Sequence, residues 1–119
     1  RSTLFPYTTL FRSRTGGRVV SPLKYLLAAV ASCFAASLRL QIQARKLAEP
    51  EIRVYARCRK ALGRPARVET FSIDVDLGGD MNAELRGRLI QLAERMCTVS
   101  NTLTHGASVE SFDVSDQAR

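Results

Sequence analysis

The sequence lacks several features by which a protein's class is usually recognised. It has three cysteines and one histidine, and no two cysteines form a Cys-x-x-Cys pair, so neither a zinc cluster nor a disulfide scaffold is indicated. Its longest apolar run, residues 25–36, is shorter than the ~20 residues that span a bilayer. The first residues show no apolar core or cleavage site of a signal peptide. We therefore expect a cytoplasmic protein without metal or cofactor.

The charge distribution does not favour nucleic-acid binding, although the formal net charge is +7 over 119 residues. Lysine and arginine are scattered rather than grouped in one stripe, and aromatic residues are not interleaved with them. A solvated basic surface is the simpler interpretation. Neither a nucleic acid nor a membrane is expected as a partner.

The first thirteen residues differ in character from the rest of the chain. The segment RSTLFPYTTLFRS contains no acidic residue and resembles the translation of a sequencing-adapter oligonucleotide. The alternative is a genuine edge strand, because Thr, Phe and Tyr favour strands. We expect residues 1–13 to be a non-native leader, which leaves residues 14–119 as a single domain.

A long apolar segment predicts a central helix. Ser21 is a suitable N-cap, and Pro22 fits the first helical position. From Leu23 the helical pattern continues to Glu49, because a residue before a proline, here Pro50, is disfavoured in the α region. The first half of this helix is apolar on nearly all sides, which is typical of a buried helix.

Two segments of alternating apolar residues, 52–58 and 71–77, predict a β-hairpin. A turn near residues 63–64 sets Ile52 opposite Val75 and Arg53 opposite Asp74. Such a cross-strand ion pair accounts for part of the basic charge without any ligand.

The rest of the sequence predicts a second helix, a short helical segment and a final strand. Asp80 or Asn82 can cap a helix over residues 83–96. Its inner face carries Leu85, Leu89, Leu92, Ala93 and Met96. Residues 97–106 predict one or two helical turns, and residues 107–115 predict a weak strand. The fold class is α+β, with a long buried central helix and a second helix packed on an antiparallel sheet.

Any site chemistry depends on the cysteines. Cys33 lies in the apolar half of the central helix, and Cys97 begins the polar segment after the second helix. Taken alone, each is better explained as inert packing, because a reactive thiolate needs a nearby cation or helix dipole. Cys58, on a strand face, keeps that interpretation.

Two segments around these cysteines resemble motifs of the OsmC/Ohr family, the osmotically inducible protein C and organic hydroperoxide resistance proteins. SPLKYLLAAVASCF resembles the central-helix motif, and LAERMCTVSNTLTHG resembles the second cysteine motif. The resemblance runs from about Gly16 to Val114. It implies an OsmC-like intertwined homodimer of the stress response that reduces organic hydroperoxides.

By position, Cys33 matches the family's peroxidatic cysteine and Cys97 its resolving cysteine. The resemblance then implies that a peroxide oxidises Cys33, that Cys97 forms a disulfide with it, and that an external dithiol, not a cofactor, reduces the pair. We expect the two Cα atoms to lie ~4.4–6.8 Å apart, or somewhat farther when reduced.

The chain departs from the family at the residues that stabilise the thiolate. The family's glutamate, ten residues before the peroxidatic cysteine, is replaced by Leu23, and the strand carrying the family's arginine is not found. Lys24 is too distant to substitute, at ~13 Å from Cys33 along a straight helix. The resemblance therefore implies an impaired peroxidase that lacks the N-terminal strands. The alternative is an OsmC-like domain without peroxidase activity that binds a small apolar or electrophilic ligand at a dimer interface.

Three polar residues near Cys97 are left out of the predicted site. Ser100 and Asn101 can hydrogen-bond near Cys97, but local capping of the short helix is the simpler role. His105, in a glycine-containing turn, is expected to be solvated.

Overall fold

The computed structural model describes residues 21–116, which contain three α-helices and a two-stranded antiparallel sheet. In chain order the elements are α1 (Pro22–Ala44), β1 (Ile52–Lys60), β2 (Val68–Leu77), α2 (Ala83–Met96) and α3 (Thr98–His105), followed by a 3₁₀ turn at Val114–Asp116. α1 packs against the hairpin on one side and contacts both α2 and α3, which confirms the α+β fold class. The predicted leader, residues 1–13, lies outside the described residues.

α1 begins at the predicted proline but ends earlier than predicted. Lys46 adopts a φ of 55°. Its N–H donates to Gln43 O at 3.0 Å, and the N–H of Leu47 donates to Ile42 O at 3.2 Å. These two bonds form a Schellman motif, which satisfies the last carbonyls of a helix. The predicted end at Glu49 was wrong because the left-handed turn at Lys46 stops the helix before the restriction imposed by Pro50 acts.

The hairpin keeps the predicted faces but not the predicted register. Ile52 pairs with Leu77 and Val54 with Val75, with an irregularity between Arg59 and Lys60. The observed pairing is shifted by two residues from the predicted one. A shift of two preserves which side chains face the core, because strand side chains alternate with period two. Alternation alone therefore could not distinguish the two registers.

The outer face of the hairpin carries exposed ion pairs. Arg57, rather than the predicted Arg53, contacts Asp74, with Nε and Oδ2 2.9 Å apart. Arg53 contacts Glu51 at 3.1 Å. Exposed pairs of this kind contribute little to stability, because water and salt screen the two charges. These pairs account for part of the basic charge, as expected. In the observed register Asp74 lies opposite Tyr55, and Arg57 contacts it diagonally.

α2 has the predicted bounds, and Asn82 rather than Asp80, the other predicted candidate, is its cap. The side chain of Asn82 accepts a hydrogen bond from the N–H of Leu85 at 2.8 Å. Leu89 is fully buried. Met96, predicted on the inner face, is instead 46% exposed. The next residue, Cys97, takes the buried position at this end of the helix, so the prediction for Met96 was wrong.

One stripe of α1 forms the core with the hairpin and α2. Its buried residues are Val30, Phe34, Ser37, Leu38 and Ile42. The first half of the helix is not buried on all sides as predicted, since Tyr25 is 49% exposed and Leu26 and Leu27 are only half-buried. Within residues 21–116 the hairpin and α2 cover one side of α1, and this half stays partly open.

Within residues 21–116, α1 is the one helix long and apolar enough to cross a membrane by length and composition. The core helix of a soluble protein meets the same criterion. Because α1 supplies the core stripe on which the hairpin and α2 pack, we describe it as a core helix.

The predicted final strand does not form among the described residues. Residues 107–113 have no regular structure, and residues 107–115 are exposed. A strand needs a neighbouring edge for its backbone hydrogen bonds, and this segment pairs with neither β1 nor β2. The strand prediction was therefore wrong.

Candidate active site

The junction of α2 and α3 lies against the middle of α1. Cys97 is both the C-cap of α2 and the N-cap of α3, and it is fully buried. Cys33, half-buried on α1, packs against the core cluster that includes Cys97. The Cys97 side chain hydrogen-bonds to the Cys33 thiol. The fold therefore brings together the two cysteines that the sequence singles out, both as free thiols.

The first turn of α3 favours the thiolate form of Cys33. The backbone N–H of Val99 donates to the sulfur and lowers the pKa of Cys33 from its usual 9.0. Burial opposes this and raises the pKa, while hydrogen bonds from the Cys97 side chain and the Thr98 backbone lower it further. N–H groups in a first helical turn have no partner within the helix, and the helix dipole there favours negative charge.

This source of thiolate stabilisation differs from the cation that the sequence analysis sought. Among the described residues, no charged side chain contributes to the shift of Cys33. Lys24 is exposed at the start of α1. The donors are backbone groups of Val99 and Thr98, whose side chains carry no sign of that role. The sequence could have indicated these two residues only by their position, because they begin a helix directly after Cys97.

The other singled-out residues lie around the junction or away from it. The Asn101 amide donates to Arg95 O at 3.0 Å, so it ties the end of α2 to α3, as local capping predicts. The Ser100 hydroxyl oxygen is buried without a hydrogen-bond partner among the described residues, so capping does not explain it. His105 is exposed at the end of α3. Cys58 lies in β1 opposite Phe71.

An open groove of about 510 Å³ lies between β2 and the α2–α3 junction. Its apolar wall comprises Val30, Phe71, Ile73 and Leu103, and its polar wall includes Thr70, Ser100, Asn101 and Thr104. Glu69, Glu94 and Arg95 complete the lining. Such a mixture suits a small organic molecule with one polar group. Within residues 21–116, no cluster of His, Cys, Asp and Glu is placed to hold a metal ion.

The protein is an α+β protein with a cysteine-pair site. This class is defined by the core helix, the hairpin and the two neighbouring thiols at a helix junction. The family model for OsmC-like protein matches residues 15–112. The chain therefore belongs to the OsmC-like protein family, as its two cysteine motifs predicted.

Solved structures show the same fold. An OsmC-like hydroperoxide resistance protein from Jannaschia sp. CCS1 is similar with a TM-score of 0.68 and 22% identity, over 85% of this chain and 71% of that chain. An organic hydroperoxide resistance protein OsmC from Legionella pneumophila is similar with a TM-score of 0.58 and 18% identity, over 74% of this chain. The match spans 64% of the Legionella protein, less than two thirds of its length. No curated protein matches the chain significantly.

Proposed function

We propose that this chain is a thiol-dependent peroxidase that reduces organic hydroperoxides through Cys33 and Cys97. The observation that carries the proposal is the position of the Cys33 thiol, between the Cys97 side chain and the N–H groups that open α3. A thiol with a lowered pKa beside a second thiol has both parts that peroxide reduction needs, a nucleophile and a resolving partner. Family membership agrees with this chemistry.

The reaction proceeds in three steps. The Cys33 thiolate attacks the terminal peroxide oxygen, the O–O bond breaks, and an alcohol and a cysteine sulfenic acid result. The Cys97 thiol then attacks the sulfenic sulfur, which forms a disulfide and releases water. An external dithiol, of the kind that a reducing cytoplasm supplies, returns both cysteines to thiols.

A ligand-binding domain without peroxidase activity is the second candidate, and the open groove of about 510 Å³ favours it. Leu23, at the position of the family's activating glutamate, also fits a non-peroxidatic role. In this case the groove takes a small apolar or electrophilic ligand and Cys33 is not oxidised during function.

A thiol count separates the two candidates. One equivalent of cumene hydroperoxide is expected to remove two of the three free thiols, and peptide mass mapping is expected to find a Cys33–Cys97 disulfide. A Cys58→Ser variant serves as the control and is expected to form the same disulfide. Three unchanged thiols after prolonged exposure exclude the peroxidase and leave the ligand-binding domain.

The assembly is proposed to be a homodimer. Within residues 21–116 the first half of α1 keeps apolar surface accessible, because Leu26 and Leu27 are only half-buried. Burial of such surface is the main driving force of association. Light scattering on purified protein is expected to give twice the chain mass. A stable monomer at high concentration, with no dye-accessible apolar surface, contradicts the proposal.

A further inference from the structure

The hydroxyl of Ser100 differs from other hydroxyls of the helices. Its oxygen is buried and has no hydrogen-bond partner among residues 21–116. In contrast, Ser37 Oγ donates to Cys33 O at 3.0 Å, and Thr102 Oγ1 donates to Thr98 O at 2.8 Å. A buried hydroxyl without a partner destabilises a fold. Such a hydroxyl calls for an explanation, and a polar atom of a bound molecule would supply one.

Ser100 lines the groove described above, and near neighbours of Cys33 lie in its walls, although Cys33 itself is not a lining residue. Val30, in the apolar wall, precedes Cys33 by three residues of α1, or ~4.5 Å along the helix axis. On the opposite side, Ser100 directly follows Val99, whose N–H donates to the Cys33 sulfur. The apolar wall can therefore hold a hydrocarbon group while a polar atom of the same molecule meets Ser100 near the thiol.

We propose that Ser100 is a substrate-binding residue whose hydroxyl donates a hydrogen bond to the alkyl-bearing oxygen of an organic hydroperoxide seated in the groove. This role rests on the proposed peroxidase function, although the alcohol product, which carries the same oxygen, can bind without any turnover.

The hydrogen bond has a defined place in the reaction. The Cys33 thiolate forms a bond to the terminal oxygen of R–O–O–H, and both electrons of the O–O bond move to the oxygen that carries R. The hydroxyl group stays on sulfur as the sulfenic acid, and the departing alkoxide takes a proton from water to become the alcohol. Negative charge thus develops on the oxygen that Ser100 contacts, where a donor is worth more than it is in the bound reactant.

A Ser100→Ala variant tests the role by turnover and by stability together. Loss of the donor is expected to lower kcat/KM for cumene hydroperoxide about tenfold. The melting temperature is expected to stay equal or rise, because the substitution removes an unpaired buried hydroxyl rather than a bond. Ser32→Ala is the control, since Ser32 is exposed on α1 and its hydroxyl lies 3.4 Å from Ala29 O. Unchanged kcat/KM in Ser100→Ala, or a parallel fall in melting temperature, overturns the role.

Binding of the product alcohol tests Ser100 independently of turnover. The reduced protein is titrated with 2-phenylpropan-2-ol and followed by NMR. The Kd is expected to rise about tenfold in Ser100→Ala and to stay constant in Ser32→Ala. Wild-type protein that binds this alcohol through Ser100 but consumes no hydroperoxide supports the Ser100 contact and refutes the peroxidase. Wild-type protein that does not bind the alcohol refutes the Ser100 contact.

Discussion

Hydroperoxide reduction is expected to disappear when Cys33 is replaced by serine, with kcat/KM falling by about 10³-fold or more. A serine hydroxyl is a far weaker acid than a thiol and cannot form a sulfenic acid. Consumption of cumene hydroperoxide with dithiothreitol as reductant measures the effect. Cys58→Ser is the control, because Cys58 lies in the hairpin opposite Phe71 and is expected to be dispensable.

A Cys97→Ser variant distinguishes the two cysteines. It retains the nucleophile and loses the resolving thiol, so it is expected to consume one equivalent of peroxide rapidly and to leave a sulfenic acid that a dimedone reagent traps on Cys33. For the Cys33→Ser variant of the first prediction, full activity contradicts the assignment of Cys33 as the nucleophile.

The pH dependence of the same thiol follows from the lowered pKa of Cys33. The thiolate is the reactive form, so its alkylation by iodoacetamide rises with pH through the pKa of the folded protein, with a midpoint expected below 9.0. Thr98→Pro removes one N–H donor at the first helical position, where proline is tolerated, and is expected to raise the midpoint. Thr98→Ala keeps the N–H and is expected to leave it unchanged. A wild-type midpoint at or above 9.0 contradicts the role of α3.

Truncation of Leu38 to alanine is expected to cost about 2–5 kcal/mol of the free energy of unfolding. Leu38 is fully buried in the core stripe of α1, so the change leaves a cavity between the helix, the hairpin and α2. Urea unfolding followed by circular dichroism measures the loss.

Leu40→Ala is the matched control for this measurement. Leu40 lies two residues farther along the same helix and is 53% exposed, so its truncation is expected to change stability by about 0.5 kcal/mol or less. Equal effects of the two substitutions contradict the assignment of the core stripe.

The parts of the fold that were predictable depend on local patterns. The bounds of α2 and the cap at Asn82 were predicted because the signals lie within a few residues of each other. The end of α1 was missed because Lys46, a residue with no special preference for positive φ, adopts that conformation. The register of the hairpin and the absence of a strand at residues 107–113 depend on pairing between distant residues, which alternation does not specify.

The candidate site, like the fold, could be predicted from the sequence only in part. The motifs identified Cys33 and Cys97, and the fold brings them together across 63 intervening residues. The groups that lower the pKa of Cys33 are backbone N–H groups of α3, which every non-proline residue possesses. Only the arrangement of α3 against α1 selects Thr98 and Val99 for this role. The unpaired hydroxyl of Ser100 likewise becomes visible only when burial and hydrogen bonds are known.

Cys97 caps two helices at once and faces the middle of a third. A disulfide from this position to Cys33 closes a large loop, and for a loop of this length the lost entropy of the unfolded chain is worth about 4 kcal/mol. Redox state and folding are then one linked equilibrium. The disulfide links α1 covalently to the junction of α2 and α3, and reduction removes that covalent link. In the proposed peroxidase cycle the oxidised protein is the more stable of the two forms, so we expect resistance to unfolding to rise and fall with turnover.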